Sequence, residues 1–194
     1  MKNERRGLKG HQFELRAADD GTITVEGYAA VFGEATSIGG YFDEVIAPGA
    51  FADTLRAGRN ICFLVEHRDL ALASTETGTL ELTEDERGLK VRASLDGNDP
   101  DVQRIRSKLE RKTLRSMSFA FHAKREEWDD TGETPKRTLL EVEVGEVSAV
   151  QFPAYEGTEI ALRSLRSADA SLHNSIGAQA RVRMKRNLLA RKGR

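Results

Sequence analysis

The chain has 194 residues, 39% of them hydrophobic and 31% charged, which is enough to bury a core, and no apolar run approaches the ~20 residues of a membrane-spanning helix. Its formal net charge of −1 hides an asymmetry: residues 163–194 hold nine Lys/Arg against one acid, Asp169, so this tail is about +8 and the rest about −9. A single cysteine, Cys62, excludes an intramolecular disulfide and a cysteine-rich metal site.

The first residues, "MKNERRGLKG", are basic, but no apolar segment follows them, so no secretory signal is expected and the chain reads as cytoplasmic. "FELRAAD" and "TITVEGYAAVF" alternate apolar with polar or small residues and predict two early strands. "GAFADTLRAG" predicts a short helix with Phe51 and Leu55 on one face and Gly58 past its end. "NICFLVEH" is a more buried strand, and Cys62 within it reads as an inert thiol. "TGTLELTEDERGLKVRASL" predicts a hairpin around a charged turn that closes on Gly88. The period then changes. "NDPDVQRIRSKLERK" offers Asp99 as N-cap, Pro100 at the first helical position, and Val102, Ile105 and Leu109 at helical spacing. Two further strands follow, "SMSFAFHAKREEW" and "TLLEVEVGEVSAVQF", separated by "DDTGETPKR". The sum is a β-rich α+β domain without βαβ alternation or internal repeats. The tail contains no aromatic residue and few large apolar ones, so it cannot build a core and is at most partly helical.

Four histidines bound the search for a general base. His11 precedes the first strand and His173 lies in the tail, where both read as solvated; His67 ends a buried strand, where the sheet can hold its ring toward a cleft. "HRDLALAS" imitates a kinase catalytic loop, but Ser74 stands where a magnesium-binding Asn is needed, and no glycine-rich phosphate loop or DFG accompanies it. No HExxH or paired Cys/His spacing supports zinc. Serine chemistry remains. "RSMSFAF" carries Ser116 and Ser118 on alternate positions, and a neutral imidazole with a pKa of ~6.5 suits the removal of a hydroxyl proton near neutral pH. The base needs an orienting partner, for which Glu143, Glu146 and His122 are candidates. Glu141 and Glu143 share a strand face, and Gly145 before Glu146 permits a bulge that re-aims the carboxylate. Spacing alone does not choose among them.

The ordered set "GYAAVFGE", "VIAPGAFADTL", "FLVEHRD", "GTLEL…GLKVRASL", "RSMSFAF" and "EVGEVSAVQFPAY", over about residues 22–163, resembles the tailed-phage prohead proteases, the serine proteases of capsid maturation, which look related to the herpesvirus assemblins. The resemblance implies a closed or partly closed antiparallel β-barrel flanked by helices, with a protease domain at residues 1–163 and a basic tail at 164–194. It puts the catalytic histidine on His67, the nucleophile on Ser116 and the third member on Glu146; in the herpesvirus arrangement the third member would be His122. Ser118 stands where glycine is frequent, Glu66 where Asn is frequent, and Arg115 where an apolar residue is common. No cofactor or metal is implied. The implied partners are the major capsid protein with its scaffold segment and the chain itself, through autocleavage of its termini and a possible homodimer; the implied place is the immature phage shell in the host cytoplasm. The tail fits docking on acidic scaffold, while its lack of aromatic residues and the acidic core argue against nucleic acid. The rival reading is a catalytically silent scaffold or capsid-interaction module that keeps the protease fold.

Overall fold

The computed structural model describes residues 4–7 and 13–152, with Asp69 described by its backbone alone. The tail, His11 and His173 lie outside the described residues. In chain order the elements are β1 (Glu4–Gly7), β2 (Glu14–Ala17), β3 (Thr22–Val31), β4 (Thr36–Ile38), β5 (Phe42–Ile46), α1 (Ala52–Arg56), β6 (Cys62–Val65), β7 (Arg68–Ser74), β8 (Leu80–Glu84), β9 (Gly88–Asp96), α2 (Pro100–Glu110), β10 (Ser116–Asp129) and β11 (Lys136–Val150).

Period-two alternation gives each long strand one apolar face, and two sheets bury those faces against each other. One sheet is antiparallel and four-stranded, in the order β2-β3-β9-β8; the other has seven strands, β1-β10-β11-β5-β4, with β6 and β7 added beside β11. Between them lie Ile23 and Val25 of β3, Leu89, Val91 and Leu95 of β9, Met117, Phe119 and Phe121 of β10, and Val142, Val144, Val147 and Ala149 of β11. Burying a side chain of this size contributes roughly 1.5–3 kcal/mol. Helix α2 adds Val102, Ile105 and Leu109 to the same core, and its start follows local rules: the Asp99 side chain accepts from the Asp101 N–H at 2.8 Å and Pro100 needs no donor there. The β8–β9 hairpin turns where Asp85 Oδ1 accepts from the amides of Arg87 and Gly88. Gly88 is required by close approach, since a Cβ there would sit 2.0 Å from the Ala30 carbonyl oxygen.

β11 is the spine of the larger sheet. Its first part, Lys136–Leu139, pairs in parallel with β5, and its last part, from Glu146 to Ala149, pairs in parallel with β6. The edge left between those partners is satisfied by the α1 region: Ala50 O accepts from Val142 N at 2.9 Å, and the Thr54 hydroxyl donates to Val142 O at 2.7 Å while accepting from Val144 N at 3.2 Å. On the other side β11 pairs antiparallel with β10, and the register slips by one: Ala120 faces Glu146 but Phe121 faces Val144. Gly145 is therefore the extra residue of a β-bulge, as the sequence anticipates.

The expectation of a closed or partly closed antiparallel barrel flanked by helices holds in its coarser part, a β-rich fold with two short helices, and no closed barrel is present among the described residues. Among the described residues the strands make two sheets with no shared ladder; the chain passes between them through turns, such as Gly33, whose N–H reaches Ile46 O. β11 also pairs in parallel twice, so the larger sheet is mixed. The two short helices and the β-rich α+β class are as expected, whereas β1, β4, β5 and β7 are strands for which the sequence carries no local signal.

Candidate active site

The turn after β6 sets the position of His67. Val65 pairs with Arg68, leaving a two-residue hairpin turn in which Glu66 and His67 both take left-handed backbone, with φ of 53° and 57°. Two consecutive positive φ values are what such a turn requires, and Asn-Gly is the pair that adopts them at least cost; a side-chain-bearing residue there costs about 1–2 kcal/mol. Glu-His is held by other bonds. Glu66 N–H donates to Ala149 O at 3.0 Å, Glu66 Oε1 accepts from Gln151 N at 2.7 Å, and His67 Nδ1 lies 2.5 Å from Glu146 Oε1. The Glu66 side chain thus clips this turn to the end of β11.

Residues directly opposite in a sheet share a face, so the pairs Ser116–Val150, Ser118–Ser148 and Ala120–Glu146 stand together on the face of the larger sheet turned away from Phe119 and Val147. Their hydroxyls are not equivalent. Ser118 Oγ donates to Arg6 O at 2.7 Å, and Ser148 Oγ donates to Glu146 Oε2 at 2.6 Å. Ser116, 4% exposed, makes no side-chain hydrogen bond to another described residue. The His67 ring is almost buried, its side chain 7% exposed beside a Glu146 at 14%. With Nδ1 donating to the carboxylate, a neutral His67 presents the lone pair of Nε2, and that buried atom has no partner among the described residues. The structure thus ties His67 to Glu146 through Nδ1, while Nε2 makes no hydrogen bond to Ser116 or to any other described residue.

Of the three candidate orienting groups, only Glu146 is brought to His67. Glu143 pairs with Lys124 and Arg59, and its carboxyl is held below the usual carboxylate range chiefly by the Lys124 hydrogen bond. His122 stands across from Glu143 in the ladder, beyond the bulge. Among the described residues no group of three His, Cys, Asp or Glu side chains could hold a metal ion. Ser148 is the polar residue to which sequence reading gives no role, although its i, i+2 spacing from Glu146 puts both on one strand face.

A second polar cluster lies on the opposite, core-facing side of the same sheet. Arg6 grips Glu44 through Nε at 2.6 Å and Nη2 at 3.0 Å, and Arg137 reaches Glu44 at 2.9 Å, Glu4 at 2.8 and 3.0 Å, and Glu126. Arg6, Glu44 and Arg137 are buried, and the two guanidiniums lie over the Phe121 and Trp128 rings.

A family model described as Caudovirus prohead serine protease matches residues 11–173. Over 181 residues the chain is 27% identical to the prohead protease of Enterobacteria phage HK97, covering 88% of this chain and 76% of that relative. No solved structure matches it.

Proposed function

Because the chain belongs to the Caudovirus prohead serine protease family, and is thereby a peptidase, we propose that His67, Ser116 and Glu146 form its catalytic triad and that it cleaves scaffold segments of the major capsid protein during head assembly. The observation that carries this reading is the polarised state of His67, with Nδ1 bound to Glu146 at 2.5 Å and buried Nε2 unpaired among the described residues.

In this mechanism Ser116 Oγ attacks the scissile carbonyl while His67 Nε2 takes its proton. Glu146 stabilises the resulting imidazolium and keeps the ring oriented. The imidazolium then protonates the leaving amine, and a water activated by the same nitrogen hydrolyses the acyl-enzyme. Backbone amides supply the oxyanion donors. The chain's own termini are further substrates. Residues 164–194, about +8 with Arg163 included, form a unit separate from the protease domain at 1–163 and dock on acidic scaffold inside the immature shell.

Coexpression with the capsid protein tests the reading. The parent should release fragments and Ser116→Ala should release none; identical fragment patterns from both would overturn it. An unlabelled parent in a fluorophosphonate assay, with capsid binding intact in both proteins, would favour a silent scaffold module instead.

A further inference from the structure

We propose that Ser148 is a positioning residue: its hydroxyl holds one oxygen of Glu146 so that the other faces His67 Nδ1. The inference rests on the reading of His67, Ser116 and Glu146 as the catalytic set. It starts from the two bonds that share one carboxylate, Ser148 Oγ to Oε2 at 2.6 Å and His67 Nδ1 to Oε1 at 2.5 Å.

A glutamate has three side-chain torsions, and the last of them is broad and roughly two-fold. A single bond from Oε1 to an imidazole leaves the carboxylate free to rotate about that torsion and to lengthen or tilt the bond on which the histidine depends. Two bonds to different oxygens fix its plane. Ser148 can supply the second because it lies two residues along β11, one repeat on the same strand face, and is fully buried, so water does not compete for the bond. Glu146 is paired on both sides, with Ala120 of β10 and Cys62 of β6, so its backbone is fixed by the sheet and only its side-chain torsions are left for Ser148 to hold.

Ser148 is not a second nucleophile. Its proton points at a carboxylate oxygen, and His67 is bound to the other oxygen of that carboxylate, so no imidazole nitrogen is placed to take the proton. Ser118 across the ladder cannot replace it, because the Ser118 hydroxyl donates to the Arg6 carbonyl.

The test is the rate of fluorophosphonate labelling of the full chain as a function of pH, for the parent, Ser148→Ala and Ser148→Thr. Ser148→Ala should label about tenfold more slowly, in line with the loss of a supporting hydrogen bond behind a functional group. Its pH profile of labelling should change as well, because a carboxylate that turns away no longer faces the imidazolium that the reaction forms. Ser148→Thr, which keeps the hydroxyl, should restore both. In a Glu146→Gln background Ser148→Ala should cost nothing further. A pH profile that superimposes on the parent's, with a rate within twofold of it, would overturn the proposal, as would an equal loss in both backgrounds. If Ser148→Ala does not fold, Ser148→Cys, near in size and a poor donor, gives the same two readings. Failure of the underlying site is distinguishable: there Ser116→Ala would label as fast as the parent, whereas failure of the Ser148 role alone leaves Ser116→Ala silent.

Discussion

The two faces of the larger sheet each carry a polar cluster, and they differ in how completely their groups are paired. On the core-facing side, Arg6 and Arg137 are surrounded by Glu4, Glu44 and Glu126, and both guanidiniums grip the same Glu44 carboxylate. On the other side, Glu146 is bound through both oxygens, yet the histidine it holds ends in a buried nitrogen without a partner among the described residues. A buried charge cluster with its bonds made is a device of the fold, because each lost partner strands another charge. A buried polar atom left open has a stability cost of about 1–3 kcal/mol and a chemical use. The two clusters meet at one strand: β1 lends the Arg6 guanidinium to the first and the Arg6 carbonyl to Ser118 beside the second.

Mutation should separate the clusters cleanly. Ser116→Ala should lower capsid-protein cleavage by ~10³ to 10⁶ while leaving the thermal midpoint close to the parent's, as measured by fragment yield and a melting curve. Next in size, Glu146→Gln should reduce the fluorophosphonate labelling rate by ~10² to 10⁴, whereas His122→Ala should stay within a few-fold; equal full activity in both variants would reject either as the third member. Arg137→Met should do the reverse, lowering urea stability by about 3–5 kcal/mol because Glu44 and Glu4 keep their burial without that guanidinium, with the labelling rate of the folded fraction preserved.

The smallest effect is in the pH dependence of the charged cluster. Burial by itself would raise the Glu4 carboxyl, but hydrogen bonding and charge attraction from Arg137 and then Arg6 outweigh it and hold the group below its ordinary value of 4.5. A carboxyl lowered in the folded state gives stability that is fully present above that ordinary value and is lost as pH falls through the lowered one. Urea midpoints measured from neutral to acid pH should therefore hold and then drop below the usual glutamate range. In Arg137→Met the drop should begin at higher pH; coincident profiles would show that the cluster does not set it.

What could be read from the sequence follows the range of the interactions involved. Helix α2 was legible because Asp99, Pro100 and the Val102, Ile105, Leu109 spacing act within a few residues. The Gly145 bulge was legible for the same reason, since "EVEVGEVSAV" interrupts its own alternation. β1 was not. "ERRG" has no strand signature, and it becomes one because Arg6 finds Glu44 38 residues away and Glu4 finds Arg137 133 residues away. β5 likewise hides its buried Glu44 in what reads as an acidic loop. The positions of His67, Ser116 and Glu146 came from an ordered resemblance, not from local chemistry. The turn that delivers His67 lacks the Asn-Gly pair that would announce it, and its geometry depends on Ala149, Gln151 and Glu146, all far along the chain. Nor could local pattern show that the described strands divide into two sheets, because closure depends on which strand edges meet.

The bulge has a consequence in terms of selection. Without Gly145 the end of β11 would read "EVEVEVSAV", an unbroken alternation that keeps Val147 and Ala149 toward the core and pairs with β10 in a single register from Phe121 to Ala120. Such a chain is the more regular strand, one residue shorter, with Glu146 still on the outer face but no longer re-aimed. Populations screened for thermal resistance alone should therefore accept loss of that codon, and populations screened for cleavage should refuse it. Sequencing the survivors of both screens would reveal whether the irregularity in this strand is kept for folding or for chemistry.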